Sequence, residues 1–405
     1  MTAHVAQTSE SEQQQTAAVS AESSMPLTVE VADSLAALES LRQDYEHLQR
    51  VTGNTLPFTS HEWHVAWCRQ FLHIHQRIDT EMMIHVVRAD GACVAVVPLM
   101  RTHRGIGPLQ ITSIDLLGAD PGITEIRAPL IASGYEPRVA VAVQSSILSA
   151  ARPHWVLWSG VTADFSAALA SQARLRWQAP LLDYVLDLPP SWEELRRKLK
   201  RNIRESIRHG YNSLERKGFH PELRIACEPL ELQPALERFL RLHSLRAARA
   251  DTVKHRDVFA SAATRNFLLE VCQQLAQRGG ARIFELVIGG EVVAARMGFV
   301  TGKSLYLYYS GYDPAWSRCS VMTTTIVEAI KYAIASGLTT VNLSPGTDVS
   351  KTRWAPRAVL YPQAVQVFPS MTAHLAWETY RRARANESEP SSLMGLARLL
   401  KRTWG

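Results

Sequence analysis

The stretch SGYDPAWSRCSVMTTTIVEAI, residues 310–330, runs from an aromatic strand end into an apolar helix through Arg318, Cys319, Ser320, Val321, Met322 and Thr323. A helix start presents unpaired N–H groups and the positive end of its dipole, so a turn of this kind favours a phosphate or another anion. The plainer alternative is a strand-to-helix connection in which Ser320 caps the helix. Tyr309, Tyr312 and Asp313 stand where the strand leaves its sheet. A phenol there can serve as a proton donor, or it can pack in an aromatic ladder.

Three further groups carry chemistry. His243 and Arg246 are three apart on one helix and share a face; a histidine accepts a proton near neutral pH, or it is a hydrogen-bonded core residue. In GTDVSKTRW (346–354), Gly346 permits a tight turn just after a strand, at the end where open α/β folds place ligands. Asp348 is a base or substrate contact there and Lys351 a substrate contact, or the two form a surface ion pair. The basic run LRRKLKRNIRESIRHG (195–210) puts Lys200, Arg204 and Arg208 in one stripe, which is a solvated face or a grip on an anionic partner. No aromatic residues interleave with these cations, which weighs against nucleic acid.

These groups need a scaffold. The 405 residues predict two domains of about 150–200 residues each. A hydrophobic fraction of 46% and a charged fraction of 20% describe a globular chain with enough apolar mass for two cores. No apolar run approaches the roughly 20 residues of a membrane span. Residues 1–26 are polar, lack a signal-peptide pattern and read as a disordered lead. The five cysteines are dispersed, with no C-x-x-C pair, which argues against disulfides or a zinc site and for a reduced, cytoplasmic setting. The net charge of +6 is concentrated in the basic run and in the tail LARLLKRTWG, whose amphipathic helix docks on the protein or lies on a membrane surface.

Hydrophobic periodicity predicts a strand at 27–32, a helix at 34–49 and a second helix beginning near 56, with Thr59 and Glu62 spaced as a capping box. A hairpin, a strand, a helix and two strands follow to residue 188. The second half starts with a basic helix at 191–217, capped by Ser191, and continues with helices at 234–250 and 261–279. Three strands, the helix of residues 321–330, a strand at 339–346 and late strand pieces at 357–368 complete it. One offset of 199 residues relates Gly91 to Gly290, Val94 to Val293 and Ala95 to Ala294. A duplicated α/β unit explains that offset together with the order of elements. The expected fold class is therefore α/β with mixed sheets, divided into 27–188 and 189–370 and followed by a helical tail at 371–405.

The order of elements resembles the GNAT acyltransferase fold. Its tandem repetition resembles the subgroup that includes the CelD/BcsL proteins of bacterial cellulose and exopolysaccharide loci and, more distantly, the FemABX aminoacyl transferases. The pieces that carry the resemblance are LPFTSHEWHVAWCRQF, VAVVPLM, LPPSWEEL, LHSLR, GGEVVAARMGF, YYSGYDPAWSR and GTDVSKTRW. Two places depart from the pattern. Val321 and Thr323 replace the glycines of the usual Q/R-x-x-G-x-G/A loop. In the later loop Thr347 and Ser350 stand where the family has Asp and Tyr.

The resemblance implies transfer of an acyl group, most simply acetyl from acetyl-CoA, to an amine or hydroxyl of a sugar or polysaccharide precursor, without a metal. Residues 318–323 would hold the cofactor diphosphate, and strand-edge amides near 308–311 would polarise the thioester carbonyl. His243 or Asp348 would take the acceptor's proton, and Tyr309 or Tyr312 would protonate the thiolate. Arg246, Lys351 and Arg204 would bind substrate, while the first half is structural or shapes the acceptor cleft. Two alternatives stand beside this: an aminoacyl-tRNA-dependent transferase, and a GNAT-fold scaffold without activity.

Overall fold

The two glycine-turned hairpins are both present in the computed structural model of the chain, which describes residues 26–72, 78–105, 110–119, 122–150, 152–249 and 255–385. In the first half the strands are β1 (Leu27–Ala32), β2 (Ile78–Ala89), β3 (Ala92–Arg104), β4 (Ile111–Leu116), β5 (Leu130–Ile131), β6 (Trp155–Ser159) and β7 (Arg176–Asp187). Its helices are α1 (Leu35–Ser40), α2 (Arg42–Thr52), α3 (His61–Phe71), α4 (Glu136–Ala150) and α5 (Ala163–Gln172). Helices α6 (Trp192–Lys198) and α7 (Arg201–Glu215) lead into the second half. There the order is β8 (Glu222–Ala226), α8 (Pro229–Ala247), α9 (Ala262–Ala276), β9 (Ala281–Ile288), β10 (Glu291–Thr301), β11 (Ser304–Tyr312), α10 (Val321–Ala335), β12 (Thr340–Asn342), α11 (Val349–Thr352), β13 (Arg357–Val367) and α12 (Met371–Ala385).

The halves repeat one plan. In each hairpin one extra residue bulges from the second strand: Val94 between the pairs Val87–Ala95 and Arg88–Cys93, and Val293 between Val292–Val287 and Ala294–Leu286. The irregularity recurs at the same 199-residue offset as the glycines, which a generic hairpin would not require. In each half a parallel pair follows, β4 with β6 and β11 with β12.

The last strands then change places. β7 runs antiparallel between β12 and β13, and β13 runs antiparallel between β6 and β7. The strands join into one mixed sheet in the order β1-β2-β3-β4-β6-β13-β7-β12-β11-β10-β9-β8, with β5 on β3. One face is covered by α1 to α3 and by α8 and α9 over a single apolar cluster that draws on both halves, from Leu38, Trp63 and Trp67 to Phe239, Phe267 and Phe299. The other face carries a cluster under α4 and α5, one under α6, α7 and α10, and a smaller one around Leu214, Leu286 and Val321.

Local chemistry corrects several expectations. The helix expected at 34–49 breaks at Leu41 into α1 and α2. α3 is capped by Ser60, whose side chain accepts from the Trp63 amide at 3.2 Å, and not by a Thr59–Glu62 box. Thr59 instead donates to the Leu56 carbonyl, and the buried Glu62 carboxylate receives Arg42 at 2.9 Å and Arg278 at 2.7 Å. The basic helix is two helices, α6 and α7, parted at Leu199 and Lys200. Its start is as expected, with Ser191 accepting from the Glu194 amide at 3.2 Å. The lead at 1–25 and the tail beyond α12 lie outside the described residues.

Candidate active site

β12 pairs with β11 only at residues 304–306, while β11 continues to Tyr312, so from Leu307 onward its edge toward β12 has no partner strand among the described residues. Opposite β10 the register passes from Arg296–Ser310 to Gly298–Leu307, which leaves Tyr308 and Tyr309 together against the single residue Met297. This bulge lies beside the opening. The first half lacks the feature: β4 pairs with β3 in one unbroken register. Past the bulge, Gly311 lets α8 sit directly on the strand, since a Cβ there would lie 2.2 Å from the His243 amide nitrogen and 2.4 Å from the Leu242 carbonyl carbon.

A segment of the first half roofs this opening. The Tyr308 hydroxyl donates to the Ile123 carbonyl, the Trp63 indole donates to Thr124 Oγ1 at 3.0 Å, and the Tyr306 hydroxyl donates to Glu125 Oε2 at 2.6 Å. Glu125 thereby faces the second half. Burial pushes its carboxyl up to about 7 against the opposing pull of the Tyr306 hydrogen bond and of Lys351. Asp183 on β7 is buried, and burial raises its carboxyl too; it accepts from Asn342 at 2.7 Å. No motif or periodicity in the sequence points to Glu125, Asp183 or Arg296.

The loop after β12 closes the other side. Asp348 caps α11 through its own Oδ1, which accepts from the Ser350 amide at 3.1 Å; burial raises this carboxyl, but the Ser350 hydrogen bonds and Lys351 outweigh burial and hold it below the usual range. The Lys351 ammonium donates to the Pro345 carbonyl and lies 3.6 Å from Asp348 Oδ2; burial lowers its pKa. Arg353 donates to Thr323 Oγ1 at 3.0 Å and so ties this loop to the start of α10.

His243 is buried, with Nδ1 3.1 Å from the Ser310 carbonyl and Nε2 3.8 Å from Asp257 Oδ1. Its ring lies among Phe239, Phe259 and Tyr309, and burial lowers its pKa. Arg246 donates to Ser310 Oγ at 2.8 Å and meets His255 Nε2 at 2.9 Å. Burial raises the Tyr309 phenol, and the Tyr312 hydroxyl accepts from Arg249 at 2.8 Å. His243, Arg246, Tyr309 and Tyr312 therefore lie along the bulged end of β11, and Asp348 and Lys351 lie in the loop after β12.

The turn before α10 is a 3-10 segment, Pro314–Cys319, ending at Ser320 in the left-handed region with φ of 54°. The Ser320 side chain makes no capping bond; its carbonyl accepts from the Thr323 and Thr324 amides, and the Val321 and Met322 amides have no acceptor among the described residues. The Val321 side chain is buried with Leu214, Ala294 and Cys319, so its branched Cβ packs inward. Arg318 is exposed, while α7 crosses closely enough at Gly210 that a Cβ would meet Thr324 Oγ1 at 3.3 Å. Arg204 is exposed on α7, on the sheet face opposite α8, and no hydrogen bond or ion pair joins it to β11 or the Asp348 loop among the described residues. Among the described residues no group of His, Cys, Asp or Glu is placed to hold a metal ion, and no helix is long and apolar enough to cross a membrane.

Residues 201–352, from α7 to the end of α11, match the family model described as an acetyltransferase (GNAT) domain. The matched segment contains the bulged strand, the turn before α10 and the start of the loop that holds Asp348 and Lys351. Similar solved structures include FemX, at 11% identity and a TM-score of 0.49, covering 71% of this chain and 88% of that one. L-PGS from Bacillus licheniformis aligns at 11% identity and a TM-score of 0.49, covering 84% and 96%. A tandem GNAT protein from the clavulanic acid biosynthesis pathway aligns at 10% identity and a TM-score of 0.45, covering 85% and 100%. No curated protein matches the chain significantly.

Proposed function

We propose that the protein transfers an acyl group, most simply acetyl, from acyl-CoA to an amine or hydroxyl of an acceptor, with the sugar precursors of polysaccharide synthesis as the acceptor class. The observation that carries this reading is the unpaired, bulged edge of β11, within the segment that matches the GNAT family, facing Glu125 from the other half. The resemblance of GTDVSKTRW and its companion pieces to the CelD/BcsL pattern supports the acceptor class.

The Val321 and Met322 amides and Arg318 suit the donor's diphosphate, because an α-helix start and a nearby cation both favour phosphate. Amides on the open edge of β11 stabilise the negative charge that develops on the thioester oxygen. Glu125 takes the proton from the acceptor's N–H or O–H as the new bond forms, since a carboxyl near 7 is half ionised at neutral pH. Tyr309 keeps its proton at neutral pH and gives it to the departing thiolate. Asp348, ionised and at the mouth, orients the acceptor, and the buried His243 holds Ser310 and α8 in place.

Calorimetric titration with acetyl-CoA, CoA and desulfo-CoA tests the reading, on wild type and on Arg318→Ala. Binding of the thioester weakened by Arg318→Ala supports it, and silence toward all three ligands removes it. A second reading, transfer from a charged tRNA, is favoured by the exposed cations Arg196, Arg197, Lys200, Arg204 and Arg208, none of which forms an ion pair with a described residue. It requires salt-sensitive tRNA binding that is lost when these side chains are neutralised.

A further inference from the structure

Two buried carboxylates elsewhere in this protein are each matched by a pair of arginines. Glu285, fully buried, receives Arg238 at 2.6 Å and Arg224 at 2.7 Å, and Glu62 receives Arg42 and Arg278. At the mouth of the β11 opening the pattern is reversed. Arg246 and Arg296 both donate to the one Ser310 Oγ, at 2.8 and 3.3 Å, and neither forms an ion pair with a described carboxylate. Two guanidinium groups sharing one neutral acceptor repel each other, and burial magnifies that cost. Arg296 shows it: burial, with Arg246 adding to the effect, lowers its pKa to about 10, and its buried Nε has no partner among the described residues.

The neighbours add to the imbalance. Lys351 and Arg353 stand at the same opening, and Asp348 is the carboxylate there whose pKa lies below the usual range. Glu125 and Asp183 are both raised by burial. His255, lowered by burial and by Arg246, offers its ring nitrogen to Arg246 as an acceptor and adds no charge when neutral. With both lone pairs of Ser310 Oγ taken by arginines, its O–H is left as a donor. Two guanidiniums and one hydroxyl donor brought together in this way fit an oxyanion.

We infer that Arg246, Arg296 and Ser310 form an anion-binding subsite that takes a phosphate or carboxylate group carried by the acceptor. Its assignment to the acceptor rests on the acyl-transfer reading of the opening, in which the donor's diphosphate lies at the start of α10.

The test uses the full chain, with inorganic phosphate and sodium acetate as separate probes at constant ionic strength. Binding is followed by calorimetry on wild type, Arg246→Gln and Ser310→Ala, with and without saturating desulfo-CoA. The expected result is that phosphate or acetate binds wild type, that Arg246→Gln weakens it by about tenfold or more, and that Ser310→Ala weakens it less. Phosphate alone binding identifies a phosphorylated acceptor, and acetate alone a carboxylated one. Equal binding to wild type and Arg246→Gln overturns the subsite, as does binding of neither probe. Displacement of the probe by desulfo-CoA moves the anion to the donor and overturns the acceptor assignment. Arg246-dependent anion binding by a protein that ignores every acyl-CoA keeps the subsite and rejects acyl transfer. Circular dichroism of each variant separates lost binding from lost folding.

Discussion

The Tyr306 hydroxyl donates to Glu125 Oε2 at 2.6 Å, so the splayed strand of the second half fixes a carboxylate delivered by the first. Burial raises this carboxyl to about 7, and the Tyr306 bond lowers it from a still higher value. With the ionised form acting as base, kcat/KM rises with pH through about 7. In Tyr306→Phe the lowering contribution is gone, and the acidic limb moves to higher pH. A pH profile of kcat/KM checks this; a limb that stays put or moves to lower pH separates Tyr306 from the base.

Glu125→Gln keeps an acceptor for Tyr306 but cannot take a proton, so kcat falls by about 10²- to 10⁴-fold while acyl-CoA affinity is unchanged. Stability moves the other way. Folding raises the Glu125 pKa from 4.5 to about 7, so the native state holds more protons than the unfolded chain between those values. Stability is therefore lost as pH rises across that window. Above pH 7 the variant is more stable than wild type by up to about 3 kcal/mol, and at pH 4 the two are alike. Thermal unfolding at both pH values measures it; a variant less stable at pH 8 contradicts the buried, raised carboxyl.

The sequence shows the duplicated hairpins because each is local, with a glycine turn at Gly91 or Gly290 and apolar alternation on both sides. It singles out His243, Arg246, Asp348 and Lys351 as candidates because each sits on a short patterned element. Glu125 leaves no such mark: it lies in an unpatterned segment, and the bonds that place it and its neighbours span 61, 181 and 185 positions. The exchange of β7 and β13 is hidden for a related reason, since alternation specifies which face is buried and not which strand is the neighbour. Small elements escaped too: α5 is rich in alanine and serine, and β8 has five residues.

The α8–β11 contact predicts a large effect from one methyl group. Gly311→Ala forces a Cβ to within 2.2 Å of the His243 amide nitrogen, and neither backbone can yield alone. The expected loss is about 4 kcal/mol or more in urea unfolding. Gly290→Ala, at a turn with φ of 83° and no atom within 4 Å of the new Cβ, costs only the left-handed backbone strain of about 1–2 kcal/mol. Similar losses for the two variants would mean that α8 does not rest on the strand backbone.

The exchanged strands predict that neither half folds alone. Both neighbours of β7, β12 and β13, belong to the second half, and both neighbours of β13 are β6 and β7 of the first. A fragment ending at residue 189 has no partner for β7 and exposes the edge of β6, and its complement leaves β13 with no partner at all. Unpaired edges of this kind lead to aggregation. The apolar cluster on the α3–α9 side is also divided, because Trp63 packs against Phe267 and Phe299 across the cut. Each fragment refolded separately is expected to aggregate or to lack a cooperative transition by circular dichroism. The two refolded together should recover one sheet, elute as a single 1:1 species and unfold cooperatively. A first fragment that unfolds cooperatively by itself, with an m-value in proportion to its length, would show that the exchange joins two units already able to fold.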